Sequence, residues 1–469
     1  MTEHVSPLDA TFLELEEADP SAHMHIGALL TFEPPPGQGP PDIEAMRRHL
    51  RERLGALPRY LQRLSEPHTG GLSWPAWEHE PNFNIDAHVH RAALPEPGGE
   101  RELMEWVGEY WSHRLDRLMP LWDATLLEGL EGGRWALVTK THHCMVDGVG
   151  SIDVGNLLLD TAPEPSGCLP ETPPAPETHD PGPLLGRLPS VLAGAARAGA
   201  GMALHPNRLR EMLGRSQAMA ELIVRDEVIA APRTSLNVPI GTNREFDVVR
   251  VPLAELKRIK SALGGTVNDV VLAAASGGLR RVMLSRGEEP VHGMRAMVPV
   301  NVRTAGEHMA LGNRISSLFV NLPVDDEAPN SRYTHVVDHA EALKSGTAAV
   351  GSSTLIELTG HAPPIVHTLL AQSLFASRLF NVTITNVPGP QTTLYALGSR
   401  LVEVAGLVPL AADHCVGIAV LSYDGHVTFG LIADRATVPD LDVLRDGIEA
   451  SLDELRVLSG VAQMHAAPA

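Results

Sequence analysis

The chain has 469 residues, 43% of them hydrophobic, which is enough for two or three domains with sizeable cores. Its 57 acidic and 37 basic residues give a formal net charge of -20, so a nucleic-acid partner is not expected, because phosphate binding needs a basic surface. The three cysteines include no CxxC pair, which argues against a disulfide scaffold and favours a reducing cytoplasm. The N-terminus lacks the features of a signal peptide, and no run reaches the ~18 uninterrupted apolar residues of a membrane span.

A short apolar run followed by a histidine motif is the first informative segment in chain order. Residues 134–140 are bounded by Gly132 and Gly133 and are too few for a helix, so they predict a strand. The motif HHCMVDG at residues 142–148 begins where this strand ends. Residues 151–159 have apolar positions that suit a short helix packed back on the strand. A strand, a tight turn and a helix in this order can hold one histidine rigidly over a cleft.

The residue types in this motif suit the transfer of an acyl group to a hydroxyl. An imidazole titrates near ~6.5, so it can take the proton of an alcohol as the alcohol adds to a carbonyl. We predict that His143 is this base and that Asp147, across a turn, fixes the loop by an ion pair or hydrogen bond. Gly148 lets the backbone turn without a β-carbon in the way. The candidate cationic partners of Asp147 are Arg59, Arg63 and Arg303.

Three other interpretations of the motif remain open on the residues alone. His142 and His143 could be one exposed and one buried structural histidine. The two histidines and Asp147 could bind zinc, but adjacent side chains at a strand end point to opposite faces and rarely chelate one ion, so no metal is expected. Cys144 could be a nucleophile with His143 as its base, although neighbouring side chains on extended backbone diverge, which favours a small buried thiol.

The middle of the chain changes composition twice. Residues 161–183 contain eight prolines and predict an extended crossover without regular structure. Residues 184–215 carry five arginines and one glutamate among apolar side chains, so this segment is basic within an acidic protein. It is either a lipid-interface segment or a linker helix packed on the domains. We therefore predict an N-terminal domain at 1–160, the crossover and basic segment at 161–215, and a C-terminal domain at 216–469.

The C-terminal half is typical of a second mixed α/β unit. Residues 246–251 alternate like a strand, and residues 253–263 have helical spacing. Thr266 is expected to cap the next helix, with Asp269 completing a capping box. Asn268 could place a side-chain donor near a reaction centre, and the residues leave that role open.

More strands and a closing helix follow along the chain. Strands are predicted at 295–303, 315–322, 381–386, 416–421 and 426–432, with a hairpin turn at 423–425 and a final helix at 440–458. The segment NVPGP at 386–390 stops one of these strands sharply. It is either a rigid turn or a source of backbone amides that face a cleft.

Five motifs in this order resemble the bacterial wax ester synthase/acyl-CoA:diacylglycerol acyltransferase family, and the resemblance spans nearly the whole chain. They are SPLDATFL at 6–13, PLW at 120–122, HHCMVDG at 142–148, ND at 268–269 and NVPGP at 386–390. The pattern HHxxxDG alone also occurs in peptide-synthetase condensation domains and in chloramphenicol-acetyltransferase-like enzymes, so it indicates only the superfamily. PLW, ND and NVPGP in this order indicate the family.

The resemblance implies an α/β (α+β) fold of two chloramphenicol-acetyltransferase-like domains, with mixed sheets flanked by helices and an inter-domain tunnel. It implies that His143 lies midway along the tunnel as the base, with His142 and Asp147 in support. Acyl-CoA is expected as a substrate, with no cofactor, and diacylglycerol or a long-chain alcohol as the acceptor. Because these acceptors reside in lipid, a cytoplasmic protein is expected that associates peripherally with the inner membrane face or lipid bodies.

The expected reaction is direct transfer of a long-chain acyl group from acyl-CoA to diacylglycerol, and also to long-chain alcohols, without an acyl-enzyme. The oxyanion needs a donor, for which Asn268, a backbone amide of the histidine loop and a residue around Asn386 are candidates. The alternative function is a condensation-type acyltransferase with a carrier-bound donor. A non-catalytic lipid-binding protein is a further alternative, against which the intact motif argues.

Overall fold

Two six-stranded mixed sheets, a two-stranded antiparallel sheet and the helices that flank them make up the described part of the chain. The structure is a computed structural model, and it describes residues 3–55, 57–65, 74–146, 155, 157–164, 231–301, 315–345 and 379–460. The predicted crossover lies outside these residues apart from its first four, and the basic segment 184–215 lies outside them entirely. None of the helices in the described ranges combines the length and apolar character needed to span a bilayer.

The N-terminal part contains both helices and strands among the described residues. The elements are α1 (Pro7–Ala18), β1 (His25–Glu33), α2 (Ile43–Leu54), β2 (Gln62–Leu64), β3 (Trp77–His79), β4 (Val89–Ala93), α3 (Glu100–Trp111), β5 (Trp122–Glu128) and β6 (Trp135–His142). The Ser6 hydroxyl accepts a hydrogen bond from the Asp9 N–H at 3.1 Å and caps α1, while Pro7 suits the first helical turn.

The C-terminal part contains further strands and four helices among the described residues. The elements are β7 (Arg244–Pro252), α4 (Leu253–Leu263), α5 (Val267–Ser285), β8 (Met294–Asn301), β9 (Ile315–Leu322), α6 (Pro329–Ser345), β10 (Val382–Pro388), β11 (Tyr395–Ala396), β12 (Ser399–Leu407), β13 (Val416–Tyr423), β14 (His426–Asp434) and α7 (Leu441–Leu458). The predicted capping box of α5 is confirmed, because Thr266 accepts from the Asp269 N–H and the Asp269 carboxylate accepts from the Thr266 N–H.

The first sheet has the strand order β11-β12-β1-β6-β5-β4. β4 is parallel to β5, and the other pairs in this sheet are antiparallel. The pairing of β1 with β6 places His25 opposite His142. The end of β6, where the histidine motif begins, therefore lies beside the start of β1.

The second sheet has the order β7-β14-β13-β10-β8-β9. β10 runs parallel to both of its neighbours, β13 and β8, and the remaining pairs are antiparallel. Both sheets are therefore mixed, and helices flank them. This arrangement confirms the predicted α/β (α+β) class.

Strand β12 links the two sheets, and the sequence analysis did not anticipate it. β12 follows β10 of the second sheet in the chain but pairs with β1 of the first sheet. A β-carbon added to Gly430 of β14 would lie 2.1 Å from the carbonyl oxygen of Gly406 in β12, so the two backbones touch. The predicted domain limits stay a prediction. If the chain is divided at residue 216, residues 399–407 belong to the C-terminal half in sequence but pair with the sheet of the N-terminal half.

The other predicted elements match the structure closely, with shifts at their ends. α4 and β9 have the predicted bounds, and α7 begins one residue later than predicted. β6 begins one residue later and ends two residues later than expected, so His142 is its last residue. In the predicted hairpin, Asp424 and Gly425 have φ of 41° and 81°, the left-handed conformations that a two-residue hairpin loop requires.

Helix α2 fixes the segment that follows the histidine motif. Arg53 donates to the carbonyl oxygens of Leu157 and Leu159 and pairs with the buried carboxylate of Asp160. His49, one turn earlier, lies 2.9 Å from the carbonyl oxygen of Leu158 through its Nε2 atom. Helical conformation ends at residue 158, so the predicted helix at 151–159 ends slightly earlier; residues 151–154 and 156 lie outside the described residues.

Replacing Gly430 by alanine is expected to lower the thermal unfolding midpoint by about 1–3 °C, because the added methyl group forces the backbones of β12 and β14 apart and overpacking costs about 1–3 kcal/mol. Gly39→Ala is the matched control, since a β-carbon there would have no atom within 4 Å. Thermal unfolding followed by circular dichroism measures both variants. Equal midpoints for the two would contradict the close contact of these strands.

Candidate active site

The backbone of both motif histidines is fixed by residues that precede neighbouring strands. The His142 N–H donates to the carbonyl oxygen of Leu121 at 2.9 Å, immediately before β5. The His143 N–H donates to the carbonyl oxygen of Met24 at 2.8 Å, immediately before β1. Leu121 belongs to the PLW motif, so that motif has a structural role beside the histidines.

The imidazole of His142 is buried, and its tautomer is set by its surroundings. The Cys144 N–H donates to His142 Nδ1 at 3.1 Å, which requires a lone pair on that nitrogen. The ring proton is then on Nε2, which lies 3.4 Å from Oε2 of Glu16. Because both ring nitrogens face protein groups and the residue is 0% exposed, His142 has no nitrogen directed to solvent.

Glu16 of α1 lies at the centre of a buried polar cluster. Its Oε2 atom is 3.1 Å from Nη2 of Arg114, and its Oε1 atom is 3.6 Å from Nε2 of His25. Burial raises the pKa of the Glu16 carboxyl, but the contacts with His142, Arg114 and His25 outweigh burial and hold this pKa well below its usual range. Glu16 is therefore an ionised carboxylate that joins α1 to the ends of β1 and β6.

His23 and His25 extend this cluster as neutral side chains. Their rings lie 5.6 Å apart between centroids, and both residues are buried. Burial, with Lys140 and His142 nearby, holds the pKa of His25 well below its usual range. Burial and the nearby Arg244 lower the pKa of His23 to about 4. Neither ring carries a charge at neutral pH.

His143 lies one residue beyond β6 and has different neighbours from His142. Its ring stacks on Phe12 of α1, with centroids 4.0 Å apart and an angle of 13° between the planes. The residue is half-buried, in contrast to the fully buried His142. His143 is therefore the more exposed imidazole of the motif's pair, although its Nδ1 atom is itself buried.

Cys144 is a buried thiol, as the sequence favoured. The residue is 1% exposed, and burial raises the pKa of its thiol well above the usual range, with the Asp9 carboxylate adding to the effect. A neutral buried thiol is a poor nucleophile. The geometry therefore does not favour a covalent role for Cys144.

The structure brings together the two asparagines of the ND and NVPGP motifs. Nδ2 of Asn386, in β10, donates to Oδ1 of Asn268, in the first turn of α5, at 3.1 Å. Both residues are half-buried. This bond uses the acceptor of the Asn268 amide and leaves its two N–H donors for other partners.

The backbone of NVPGP behaves as the rigid-turn interpretation requires. The Gly389 N–H donates to the carbonyl oxygen of Ser422 in β13 at 3.0 Å, and the two prolines have no N–H to offer. A β-carbon on Gly389 would lie 2.4 Å from that same oxygen, so the close approach requires glycine. The Gly389 amide is thus used within the sheet.

Three residues that the sequence placed in or near the site, Asp147, Gly148 and Arg303, lie outside the described residues. Of the candidate partners of Asp147, Arg59 forms an ion pair with Glu3 and Arg63 lies 3.2 Å from Glu80. Within the described ranges, no group of three or more His, Cys, Asp or Glu side chains is placed to hold a metal ion.

Sequence reasoning missed Phe12 and Glu16 as residues of the site. Both lie on α1, four positions apart and hence on one face of the helix. The sequence does carry a signal, because Glu16 falls on the same helical face as the apolar residues Phe12 and Leu13. Only the fold reveals that this face covers the end of β6.

Comparison with known proteins identifies relatives along the whole chain. The family model of the wax ester synthase/diacylglycerol acyltransferase catalytic domain matches residues 5–271, and that of the WS/DGAT C-terminal domain matches residues 311–456. Two proteins of Mycobacterium tuberculosis (strain ATCC 25618 / H37Rv), each named as a probable diacylglycerol O-acyltransferase, are similar over 465 residues. One is 33% identical and the other 32%; the alignments cover 97% of this chain and 96% and 99% of those proteins.

Solved structures give the same picture. The wax ester synthase/diacylglycerol acyltransferase from Marinobacter aquaeolei VT8 is 28% identical, with a TM-score of 0.72 over 98% of this chain and 100% of that one. The first condensation domain of the CDA synthetase is 16% identical, with a TM-score of 0.60 over 98% of this chain and 97% of that one. At that identity the second likeness concerns the fold alone.

The stability of the protein is expected to fall as the pH drops from 6.5 towards 4, in part through His23. Its pKa is about 4 in the fold and 6.5 ordinarily, so the unfolded chain takes up the proton first and folding loses about 2 kcal/mol by pH 4.5. His23→Gln should reduce the difference in free energy of unfolding between pH 7 and pH 4.5 by about this amount. Urea unfolding at the two pH values measures it, with the exposed His292→Gln as the control; an unchanged difference would contradict the burial of a neutral His23.

Proposed function

The chain belongs to the wax ester synthase/diacylglycerol acyltransferase family, and from this we propose that it moves a long-chain fatty acyl group from acyl-CoA to the free hydroxyl of diacylglycerol. The observation that carries the proposal is the difference between the two motif histidines. Both nitrogens of His142 face protein groups, whereas the half-buried ring of His143 stacks on Phe12. His143 is therefore the imidazole that we assign as the general base.

The proposed reaction has two steps. His143 accepts the hydroxyl proton as the acceptor oxygen bonds to the thioester carbonyl carbon. The tetrahedral intermediate then collapses, the carbon–sulfur bond breaks, and the imidazolium returns the proton to the sulfur of coenzyme A. Since a thiol has a pKa near ~8.5, the sulfur leaves readily, and deprotonation of the alcohol and stabilisation of the oxyanion contribute most.

We propose direct transfer in a ternary complex, without an acyl-enzyme. A covalent intermediate would need an activated nucleophile beside the base. Cys144 is next to His143 in the chain, but burial raises the pKa of its thiol and its side chain is enclosed. This environment supports the direct route.

His142 and Asp147 have supporting roles in this proposal. The bond from the Cys144 N–H and the contact with Glu16 hold the His142 ring in one orientation. His142 is joined directly to His143, so a fixed His142 fixes the start of the loop that carries the base. The role of Asp147, and of Gly148 in the turn, rests on the resemblance of the motif to the family pattern.

Asn268 is the proposed donor to the oxyanion. The bond from Asn386 to its Oδ1 atom orients the amide so that the Nδ2 atom points away from Asn386. A neutral N–H donor in a site that excludes water stabilises the developing negative charge on the carbonyl oxygen. Asn386 then acts through Asn268 as an orienting residue.

The names of the relatives support the choice of acceptors. The mycobacterial relatives are named for diacylglycerol, and the name of the Marinobacter protein also includes wax ester synthesis. We therefore propose diacylglycerol as the main acceptor and long-chain alcohols as further acceptors, with acyl-CoA as the donor and no cofactor. Because both acceptors reside in lipid, the proposal includes peripheral association, from the cytoplasm, with the membrane face or lipid bodies.

His143→Ala is expected to lower acceptor-dependent release of coenzyme A by about 10²- to 10⁴-fold, because the hydroxyl loses its base. The assay follows thiol release from palmitoyl-CoA with diacylglycerol, with hexadecanol and with no acceptor. His292→Ala is the matched control, since the side chain of this histidine is 94% exposed.

The acceptor comparison ranks diacylglycerol against the alcohol. Release that His143→Ala leaves unchanged would overturn the role of the base. No release with either lipid, together with activity on a carrier-bound acyl donor, would replace the proposal by a condensation-type acyltransferase.

Asn386→Asp tests the orienting role of that side chain. Aspartate has the same shape but no N–H to offer to Asn268 Oδ1, so the Asn268 amide turns its donor towards the carboxylate. We expect a loss of about 10²-fold in kcat, equal to the loss in Asn268→Ala, because the oxyanion loses one donor. Steady-state kinetics measures both; a normal kcat for Asn386→Asp would rule this arrangement out.

A further inference from the structure

We propose that Phe12 is a positioning residue for the reaction, because its ring fixes the plane of the His143 imidazole and thereby aims the ring edge at the acceptor hydroxyl. The inference rests on the proposed function of His143 as base and adds a residue that acts through it. The stacked pair itself, with centroids 4.0 Å apart and an angle of 13° between the planes, is the observation that carries it.

The backbone of His143 is fixed in the turn after β6 by the bond from its N–H to the carbonyl oxygen of Met24. The ring of Phe12 then contacts the face of the imidazole side chain. A parallel aromatic face restricts rotation about the side-chain bonds, because tilting the imidazole loses contact across the whole ring.

Phe12 is itself firmly held. It packs against a small hydrophobic cluster formed by Leu15, Ala22 and Met24. One turn further along α1, the carboxylate of Glu16 faces His142 and Arg114. The helix that carries Phe12 is thus tied to the same strand end that carries His143, and the two rings keep their relative position.

The stacked arrangement suits proton transfer at the edge of the ring. Both nitrogens of an imidazole lie in the ring plane, so a phenyl ring that covers one face does not itself block the ring edge. The same cover keeps water from that face, and the π-electrons of Phe12 favour the imidazolium that forms after proton transfer. Misorientation of the base by about 1 Å is enough to cost about 10²-fold in rate.

Phe12→Leu is the direct test, because leucine keeps apolar volume but provides no ring face. We expect kcat to fall by about 10- to 100-fold, with the KM for palmitoyl-CoA changed less than about twofold. Phe12→Tyr and Phe12→Trp keep an aromatic face and should return kcat to within about threefold of the wild type. If Phe12 only fills space, tyrosine or tryptophan at this position is not expected to restore kcat.

Phe32→Leu is the matched control. Phe32 of β1 stacks on Trp135 with centroids 4.2 Å apart and an angle of 10°, so the same substitution removes the same kind of contact away from His143. This variant should unfold at a lower temperature and keep the kcat of its folded fraction. If Phe12→Leu behaves like it, with a lower midpoint and a normal kcat, the inference is wrong.

A double variant separates this inference from the proposed function. In the His143→Ala background, Phe12→Leu should lower the residual rate no further, because the residue acts through the imidazole. A further loss there would overturn the inference, while full activity of His143→Ala itself would overturn the proposed function. If Phe12→Leu does not fold, Phe12→Met, which also lacks a ring, takes its place with the same expected values.

Discussion

The buried carboxylate of Glu16 is the interaction on which the arrangement of the histidine motif depends. It lies against His25 at the start of β1 and His142 at the end of β6, and Arg114 supplies the positive charge. An ionised carboxylate without such partners would cost several kcal/mol to bury. Helix α1 can therefore dock only where these groups meet, and docking there brings Phe12 over His143.

Much of the fold could be predicted, because most elements carry their own local signal. The helical spacing of α4, the capping box of Thr266 and the hairpin turn at Asp424 depend on residues close in sequence. The pairing of β12 with β1, in contrast, joins residues between 367 and 380 positions apart, from Glu33 with Arg400 to Gly27 with Leu407. The sheet that such a strand joins depends on which sheet edge is available to it. A local sequence pattern does not encode that information.

The part of the candidate site that could be predicted is the histidine motif, because its residues are adjacent in the sequence. The preference for His143 over His142 followed from the motif, and the structure adds a physical reason, since His142 is fully buried and both of its ring nitrogens face protein groups. The contributions of Phe12 and Glu16 could not be predicted, because they depend on how α1 docks against β6. The bond between Asn268 and Asn386 likewise joins side chains 118 positions apart.

The proposed chemistry requires that the two sheets keep a fixed position relative to each other. The base follows β6 of the first sheet, whereas Asn268 and Asn386 belong to α5 and to β10 of the second. A base and an oxyanion donor have to hold their separation to about 0.5 Å for efficient transfer. β12 helps to fix this position, because it is hydrogen-bonded along β1 of the first sheet and its backbone touches β14 of the second sheet at a position where only glycine fits. The strand thus couples the two halves of the reaction centre more tightly than side-chain packing between separate domains would.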